Sequence, residues 1–273
     1  MPYIKKTLIT TEACDAVHDK RLSISLTADG FSFSELSAQG DLLAFGEAVG
    51  GHAVSMTDAT RDIKTFFAQV GVKPLGFRSM ELMVLSDENV WVPDEVFTPT
   101  AVRQYLKVVG GEGRQVMTAP CRQLASTAVF SADEGLATAF KVALPSLKVI
   151  NQHVKMASIP ALGASHPVLL SHWRSVANEG RVDLAAFVDG RYVYGNTVCF
   201  TDESALRFQM LEVVRTFGLE RPDTELLMCG DVDRERFSRF RPYFPKTTLY
   251  TGRCRAGAEF RQLHTYRHAL ILL

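Results

Sequence analysis

Alternation of apolar and polar residues predicts two similar β-hairpins in this chain. In each, two half-apolar segments flank an Asp-Gly pair: Leu22–Ala28 and Phe31–Leu36 around Asp29-Gly30, and, 160 residues later, Val182–Val188 and Arg191–Phe200 around Asp189-Gly190. Asp-Gly favours a tight turn because such turns need positive φ angles, which glycine adopts without strain. The repeated hairpin predicts two related lobes with a cleft between them.

The remaining segments give a mixed pattern of strands and helices. Alternation or short apolar runs predict further strands at Asp41–Val49, Glu81–Leu85, Val90–Val92, Ser126–Phe130, Leu147–Val154, Glu225–Met228 and Thr247–Tyr250. Helical spacing and capping residues predict helices at Thr57–Val70, Thr98–Val109, Asp133–Leu144, Ser165–Asn178, Thr201–Gly218 and Arg234–Phe240. Residues 1–20 are predicted as a polar lead-in, and Phe260–Leu273 as either a helix or a strand. These elements predict an α/β or α+β fold with layered sheets.

Composition narrows the class of protein. The 273 residues exceed the usual size of one domain, and 30 basic residues balance 30 acidic ones, which argues against binding of nucleic acid or membrane by the whole protein. The five cysteines have no C-x-x-C spacing, so a metal ribbon, a redox motif and a disulfide framework all lack support. No signal segment or membrane-spanning run is present in the sequence, which predicts a cytoplasmic protein.

Four segments, in this order and spacing, carry a resemblance to a family. They are Val90–Phe97, Tyr194–Phe200, Thr201–Ser204 and Leu226–Asp231. They resemble a family of uncharacterised bacterial proteins with an actin-like ATPase (ribonuclease H-like) fold, related to pilus and secretion scaffold proteins of that fold. The resemblance covers roughly residues 20–273. It implies a duplicated, two-lobed fold, with a first lobe at residues 1–164 and a linking helix and smaller second lobe at 165–273.

The resemblance also implies where a nucleotide and Mg²⁺ would bind. The first hairpin of such proteins reads Asp-x-Gly-Ser/Thr, in which the Asp organises the cation and the Gly admits the phosphate. This chain has Ser25 and Thr27 at those two positions, and the matched segment of the second hairpin, Ala185–Val188, offers neither a carboxylate nor a glycine. The motifs for phosphoryl transfer are therefore degenerate.

Six residues remain candidates for a nucleotide cleft, with ATP and Mg²⁺ as the ligands to test and no cofactor as the expectation. They are Ser25, Thr27, Asp189, Gly190, Gly230 and Asp231. Alternative roles stay open: Asp189-Gly190 as the hairpin turn itself, Gly230 as a turn from strand into helix, and Asp231 as a helix cap.

Other motifs point to ordinary structural roles. The Gly110–Arg114 segment follows a predicted helix, whereas a phosphate loop precedes one, and His264 and His268 lack the glutamate of a zinc motif. Between Asp231 and Leu273, nine basic residues face four acidic ones, so the arginines at 234, 236, 239 and 241 are either a solvated face or a site for an anionic partner.

The sequence therefore predicts a cytoplasmic scaffold or regulatory binding module that has lost catalysis. The alternative is an ATP-binding protein, kinase or ATPase of the actin and sugar-kinase superfamily. No catalytic or metal-ligating residue is assigned. A protein partner is expected, nucleic acid is not, and a homodimer is left open.

Overall fold

The computed structural model describes residues 3–12, 19–27, 30–50, 77–111, 115–132, 138, 140–142, 144–176, 179–219 and 223–273. Its strands are β1 (Tyr3–Thr10), β2 (Lys20–Thr27), β3 (Gly30–Leu36), β4 (Leu42–Gly50), β5 (Phe77–Val84), β6 (Asn89–Pro93), β7 (Gln115–Cys121), β8 (Ser126–Ala132), β9 (Leu147–Asn151), β10 (Val168–Val176), β11 (Glu179–Val188), β12 (Arg191–Phe200), β13 (Glu225–Gly230) and β14 (Lys246–Leu249). Its α-helices are α1 (Val102–Lys107), α2 (Gln152–Ala157), α3 (Glu203–Thr216) and α4 (Arg234–Phe240).

Short 3₁₀ helices complete the described elements. They lie at Pro99–Ala101, Arg122–Leu124, Ala258–Phe260 and Thr265–Ile271. The helix predicted at Thr57–Val70 lies outside the described residues, as does much of the one predicted at Asp133–Leu144. No helix within the described ranges is long and apolar enough to cross a membrane.

Two large sheets repeat one topology. The first sheet has the order β1-β4-β3-β2-β5-β9 and the second has β12-β11-β10-β13-β14. If β1 is set aside, each sheet consists of three antiparallel strands in a meander followed by two parallel strands, with the first strand of the meander at the centre. The duplicated α/β fold predicted from the sequence is thus present, and a small third sheet, β6-β8-β7, is inserted between β5 and β9.

The topology corrects the alignment of the repeat. Ser165–Asn178 was predicted to be a helix, but Val168–Val176 forms β10, the central strand of the second sheet. Residues Val168 to Trp173 are all buried, because a central strand is covered on both faces and loses its period-two pattern. The turn at Asp189-Gly190 therefore joins the second and third strands of its repeat, whereas β2 and β3, the strands of the first predicted hairpin, are the first and second of theirs.

Smaller differences have local causes. The predicted lead-in contains β1, which pairs with β4. The strand predicted at Leu147–Val154 ends at Asn151, because the Asn151 side chain accepts a hydrogen bond from the Val154 amide and starts α2. Phe260–Leu273 is largely 3₁₀ helix, and β7 was not predicted.

Apolar packing joins the two sheets. One cluster of buried side chains contains Phe45 and Met83 of the first sheet, Leu170 and Phe187 of the second, and Met156 of α2. The segment from Ala269 to Leu272 belongs to the same cluster. Within it, the Ile271 carbonyl accepts a hydrogen bond of 2.5 Å from Ser34 Oγ on β3. The C-terminal 3₁₀ helix is therefore part of the junction between the sheets.

Glycine at position 230 is predicted to contribute strongly to the stability of the fold. Its φ is +84°, and an added Cβ would lie 2.2 Å from the carbonyl oxygen of Trp173. We expect Gly230→Ala to lower the free energy of unfolding by about 3 kcal/mol or more, because backbone strain and a clash with main chain add. Gly218→Ala is the matched control, since φ is +67° there but the space is open, and its expected cost is about 1 kcal/mol. Urea unfolding measures both; equal costs would contradict the clash.

Candidate functional site

The six candidate residues do not meet at one place. Asp189 and Gly190, with φ of +51° and +72°, form the two-residue turn between β11 and β12, as the structural alternative predicted. This turn lies beyond the Val168 end of β10, whereas Gly230 pairs with Trp173. Five residues of strand, about 17 Å, separate those two levels of the sheet. Asp189 and Gly190 therefore lie apart from Gly230, and their role in a nucleotide cleft stays a prediction.

The other four candidates lie at strand ends of the two sheets. Ser25 and Thr27 are among the last three residues of β2, and Ser25 is buried. Gly230 ends β13 with its backbone against Trp173, and the exposed Asp231 donates its amide to the Trp173 carbonyl at 2.9 Å. The helix cap of α4 is Asp233, whose carboxylate accepts from the Arg236 amide. A nucleotide-binding role for these residues stays a prediction.

The true counterpart of Ser25 in the second sheet is Arg174. Thr27 pairs with Gly30 at the end of β2, and Val176 pairs with Glu179 at the end of β10. Two residues before these positions stand Ser25 and Arg174. The sequence comparison with Ala185–Val188 was wrong, because those residues belong to the next strand.

Arg174 binds a fully buried carboxylate, Asp183, on the neighbouring strand β11. The guanidinium uses two nitrogens: Nε donates to Asp183 Oδ2 at 2.9 Å and Nη2 donates to Oδ1 at 2.8 Å. Such a bidentate, charge-assisted pair fixes both side chains in one geometry. Asp183 has no exposed surface, so its charge depends entirely on these partners.

Three further side chains complete the shell of Asp183. Thr197 Oγ1 on β12 and Gln152 Nε2 on α2 donate to Oδ1 at 2.7 and 3.0 Å, and His172 Nδ1 on β10 lies 2.9 Å from Oδ2. Gln152 also exchanges hydrogen bonds with the backbone of Ser86, in the loop after β5. One carboxylate thus connects three strands of the second sheet with α2 and the first sheet.

Asp87, next to Ser86, extends the cluster across the junction. Its Oδ1 lies 2.9 Å from Arg174 Nη2 and its Oδ2 lies 2.6 Å from Arg181 Nε. The cluster therefore contains two carboxylates and two guanidinium groups, whose formal charges cancel. We call the set Asp87, Gln152, His172, Arg174, Arg181, Asp183 and Thr197 the Asp183 network.

The charges of the network reinforce each other. Burial disfavours ionisation of Asp183, but the charge of Arg174 and the hydrogen bond from His172 outweigh burial and hold the pKa of Asp183 well below its ordinary value. Burial likewise disfavours the charged guanidinium, yet Asp183 and Asp87 raise the pKa of Arg174. Both groups therefore stay charged at pH 7.

Neighbouring polar groups lie at the edge of the network. His153 Nε2 lies 3.0 Å from Thr197 Oγ1, whereas Nδ1 of the same ring is buried without a hydrogen-bond partner. Burial lowers the pKa of His153 from 6.5 to about 4, so the imidazole is neutral at pH 7. Within the described residues, no group of three or more His, Cys, Asp and Glu side chains is placed to hold a metal ion.

The sequence contains one signal for this cluster. Asp183 is a lone carboxylate inside an apolar run, and a charge buried in a strand needs a partner on an adjacent strand. His172 and Arg174 have the i, i+2 spacing of one strand face, but the helix prediction for Ser165–Asn178 concealed it.

The C-terminal arginines are largely occupied. Arg236 and Arg239 each lie 3.0 Å from the Glu203 carboxylate, and the Arg236 guanidinium stacks 4.8 Å from the Trp173 ring centre. Arg239 also pairs with Glu235. These contacts favour the solvated-face alternative over a site for an anionic partner.

Asp183→Asn tests whether the network holds the fold together. The substitution leaves Arg174 buried without its bidentate carboxylate, so the free energy of unfolding at pH 7 is expected to fall by about 3 kcal/mol or more. Asp189→Asn is the control: Asp189 is exposed, and asparagine tolerates its positive φ, so a change within about 0.5 kcal/mol is expected. Urea unfolding gives both values, and a loss below 1 kcal/mol for Asp183→Asn would refute the role.

His153 predicts a pH dependence. Its pKa is about 4 in the folded chain and near 6.5 in the unfolded chain, so the unfolded state binds more protons between these values. Stability is therefore complete above pH 6.5 and falls by about 3 kcal/mol as the pH is lowered to 4. His153→Gln should flatten the profile in this window, whereas the exposed His264→Gln should not. An unchanged slope in His153→Gln would exclude the assignment.

Several known structures resemble this chain to different degrees. A protein of unknown function with an actin-like ATPase fold from Bacteroides thetaiotaomicron matches 88% of this chain and 93% of its own, with a TM-score of 0.65 and 16% identity. The cytoplasmic domain of EpsL, an inner membrane component of the type II secretion system of Vibrio cholerae, matches 77% of this chain and 80% of its own, with a TM-score of 0.41 and 14% identity. The ethanolamine utilization protein EutJ from Carboxydothermus hydrogenoformans matches 95% of this chain and 93% of its own, with a TM-score of 0.46 and 9% identity.

The Bacteroides structure, together with the duplicated sheets, confirms the actin-like ATPase fold predicted from the sequence. No curated protein has a matching sequence. One family model matches residues 11–247, which is most of the chain. The chain therefore belongs to the family described as protein of unknown function, DUF3822.

Proposed function

We propose that this chain is a non-catalytic member of the actin-like fold that acts in the cytoplasm as a scaffold or regulatory binding module for a protein partner. The observation that carries this proposal is the Asp183 network at the end of β10. A hard cation such as Mg²⁺ needs oxygen ligands that carry charge. The two equivalent strand positions hold a serine and an arginine, so the residues present do not fit a Mg-nucleotide.

Charge balance also argues against a phosphate at this place. Arg174 is the nearest candidate to bind one, but its Nε and Nη2 already donate to Asp183 and Asp87. A phosphate would have to take the guanidinium from these carboxylates and leave Asp183 buried without its cation. Removing one partner of a buried ion pair costs about 3–5 kcal/mol.

The Asp183 network instead favours a protein in which the two sheets hold a fixed position relative to each other. Asp87, in the loop after β5 of the first sheet, forms ion pairs with Arg174 and Arg181 of the second sheet, and apolar side chains pack around the same junction. A fixed junction presents a constant outer surface, which is what a binding module needs. The four described cysteines form no disulfide, which is compatible with a reducing cytoplasm.

Titration with Mg-ATP tests the proposal against the competing hypothesis of an ATP-binding enzyme. We expect no heat of binding and no shift of the melting temperature up to 1 mM nucleotide, about the concentration at which a millimolar site would be half filled. A micromolar Kd that is lost in Ser25→Arg, or release of phosphate from ATP, would overturn the proposal. A Ser25→Arg protein with an unchanged circular dichroism spectrum excludes unfolding as the cause of such a loss.

A further inference from the structure

We propose that the outer edge of β12 accepts an extended strand from a protein partner, which would join the second sheet as a sixth strand. This inference rests on the proposed function and names the surface and the class of partner through which the module would work. It depends on three features: the unpaired edge, a groove beside that edge, and exposed apolar side chains.

The edges of the two large sheets differ in how well they resist an added strand. Charged residues and short length protect a sheet edge. β1 contains Lys5 and Lys6, and the edge strands β9 and β14 have only five and four residues. β12 has ten residues, and its single charge is Arg191 at the first position. Among these four edge strands, β12 therefore has the least protection against an added strand.

The backbone of β12 is paired on one side only. All of its strand pairing is with β11, and it stands last in the order of the second sheet. A bulge interrupts the register at Val193, and from Tyr194 to Phe200 the pairing is regular. Within the described residues, no backbone hydrogen bond reaches this run from the outer side. In an antiparallel strand only every second residue directs its amide and carbonyl away from its partner, so about half of this run is placed to pair with an extended peptide. The Thr197 amide donates to its neighbour Asn196 Oδ1 at 2.9 Å, a local bond that an incoming strand would replace.

A groove of about 460 Å³ lies between β12 and α3. Tyr194, Asn196 and Val198 of β12 line one wall, and Val213 and Phe217 of α3 contribute to the other. The Tyr194 and Phe217 rings are 5.1 Å apart, which makes this end of the groove aromatic. Since β12 is the outermost strand, every second side chain of an added strand would point to the groove side of the sheet.

Exposed side chains continue the apolar surface along α3. Phe208 is 65% exposed and stands one helical turn before Glu212, which lines the groove. Phe208 thus adds an apolar side chain one turn along α3 from the groove, next to a site where an added strand would lie. The matching partner strand therefore has apolar or aromatic residues at alternating positions.

A second copy of this chain fits the surface less well. Its β12 would present Tyr194, Asn196 and Val198 on the groove side, and these side chains already pack under the α3 helix of their own chain. Pairing of two β12 strands would thus leave both grooves unfilled. A strand from a different protein has side chains that are free to enter the groove.

Selection from a random decapeptide library displayed on phage tests this inference on the full chain. We expect peptides with alternating apolar residues, with Kd values in the micromolar range by fluorescence anisotropy, and slower amide hydrogen exchange in β12 on binding. Asn196→Lys places a charge in the groove in the middle of the regular run, and it should weaken binding at least tenfold. Leu249→Lys, at an exposed position on the opposite edge strand β14, should leave binding unchanged.

Several outcomes would overturn the inference. These are failure to enrich any peptide, binding that is equal in the wild type and in Asn196→Lys, protection of amides elsewhere, and a stable dimer by light scattering that Asn196→Lys dissociates. If Asn196→Lys does not fold, Phe208→Ser replaces it, since that side chain is mostly exposed. Failure here together with absence of Mg-ATP binding would refute the docking surface and leave the proposed function standing.

Discussion

The buried charge of Asp183 is the constraint on which the arrangement of the two sheets depends. A carboxylate without solvent contact is stable only if its hydrogen bonds are complete, and here they come from β10, β12 and α2. Replacing such a cluster with apolar residues often costs nothing, so its presence is not explained by stability alone. What it provides is geometry: Arg174 reaches both Asp183 and Asp87, and this fixes the first sheet relative to the second.

Duplication explains both the likeness and the difference of the two sheets. In each sheet the first strand of the meander is the central strand, but equivalent positions near the end of that strand carry different residues. In the first sheet the divergent position is the buried Ser25, and in the second it is Arg174, which is bound to acidic groups of its own chain. The fold is retained while the polar groups at the strand ends serve the chain itself.

Local features of the sequence were sufficient to predict much of the fold. The turn at Asp189-Gly190, the helix that forms α3 and the helix over α4 were predicted because each depends on residues within a few positions. β10 was not, because burial on both faces removes the alternation that identifies a strand. The Asp183 network could not be predicted from local sequence either. Arg174 and Asp87 are 87 residues apart, and only the sheet topology brings them together.

The hydrogen bond between Ser34 and Ile271 spans 237 residues, and this bears on how the protein is made. During translation β3 emerges early, yet its contact with the 3₁₀ helix at Thr265–Ile271 forms only after Ile271 has left the ribosome. Until then, the apolar cluster around Phe45 and Leu170 lacks the side chains of Ala269 to Leu272. The nascent chain therefore exposes this apolar surface until Ile271 is available, and chaperones that shield apolar surface are expected to bind it during that interval.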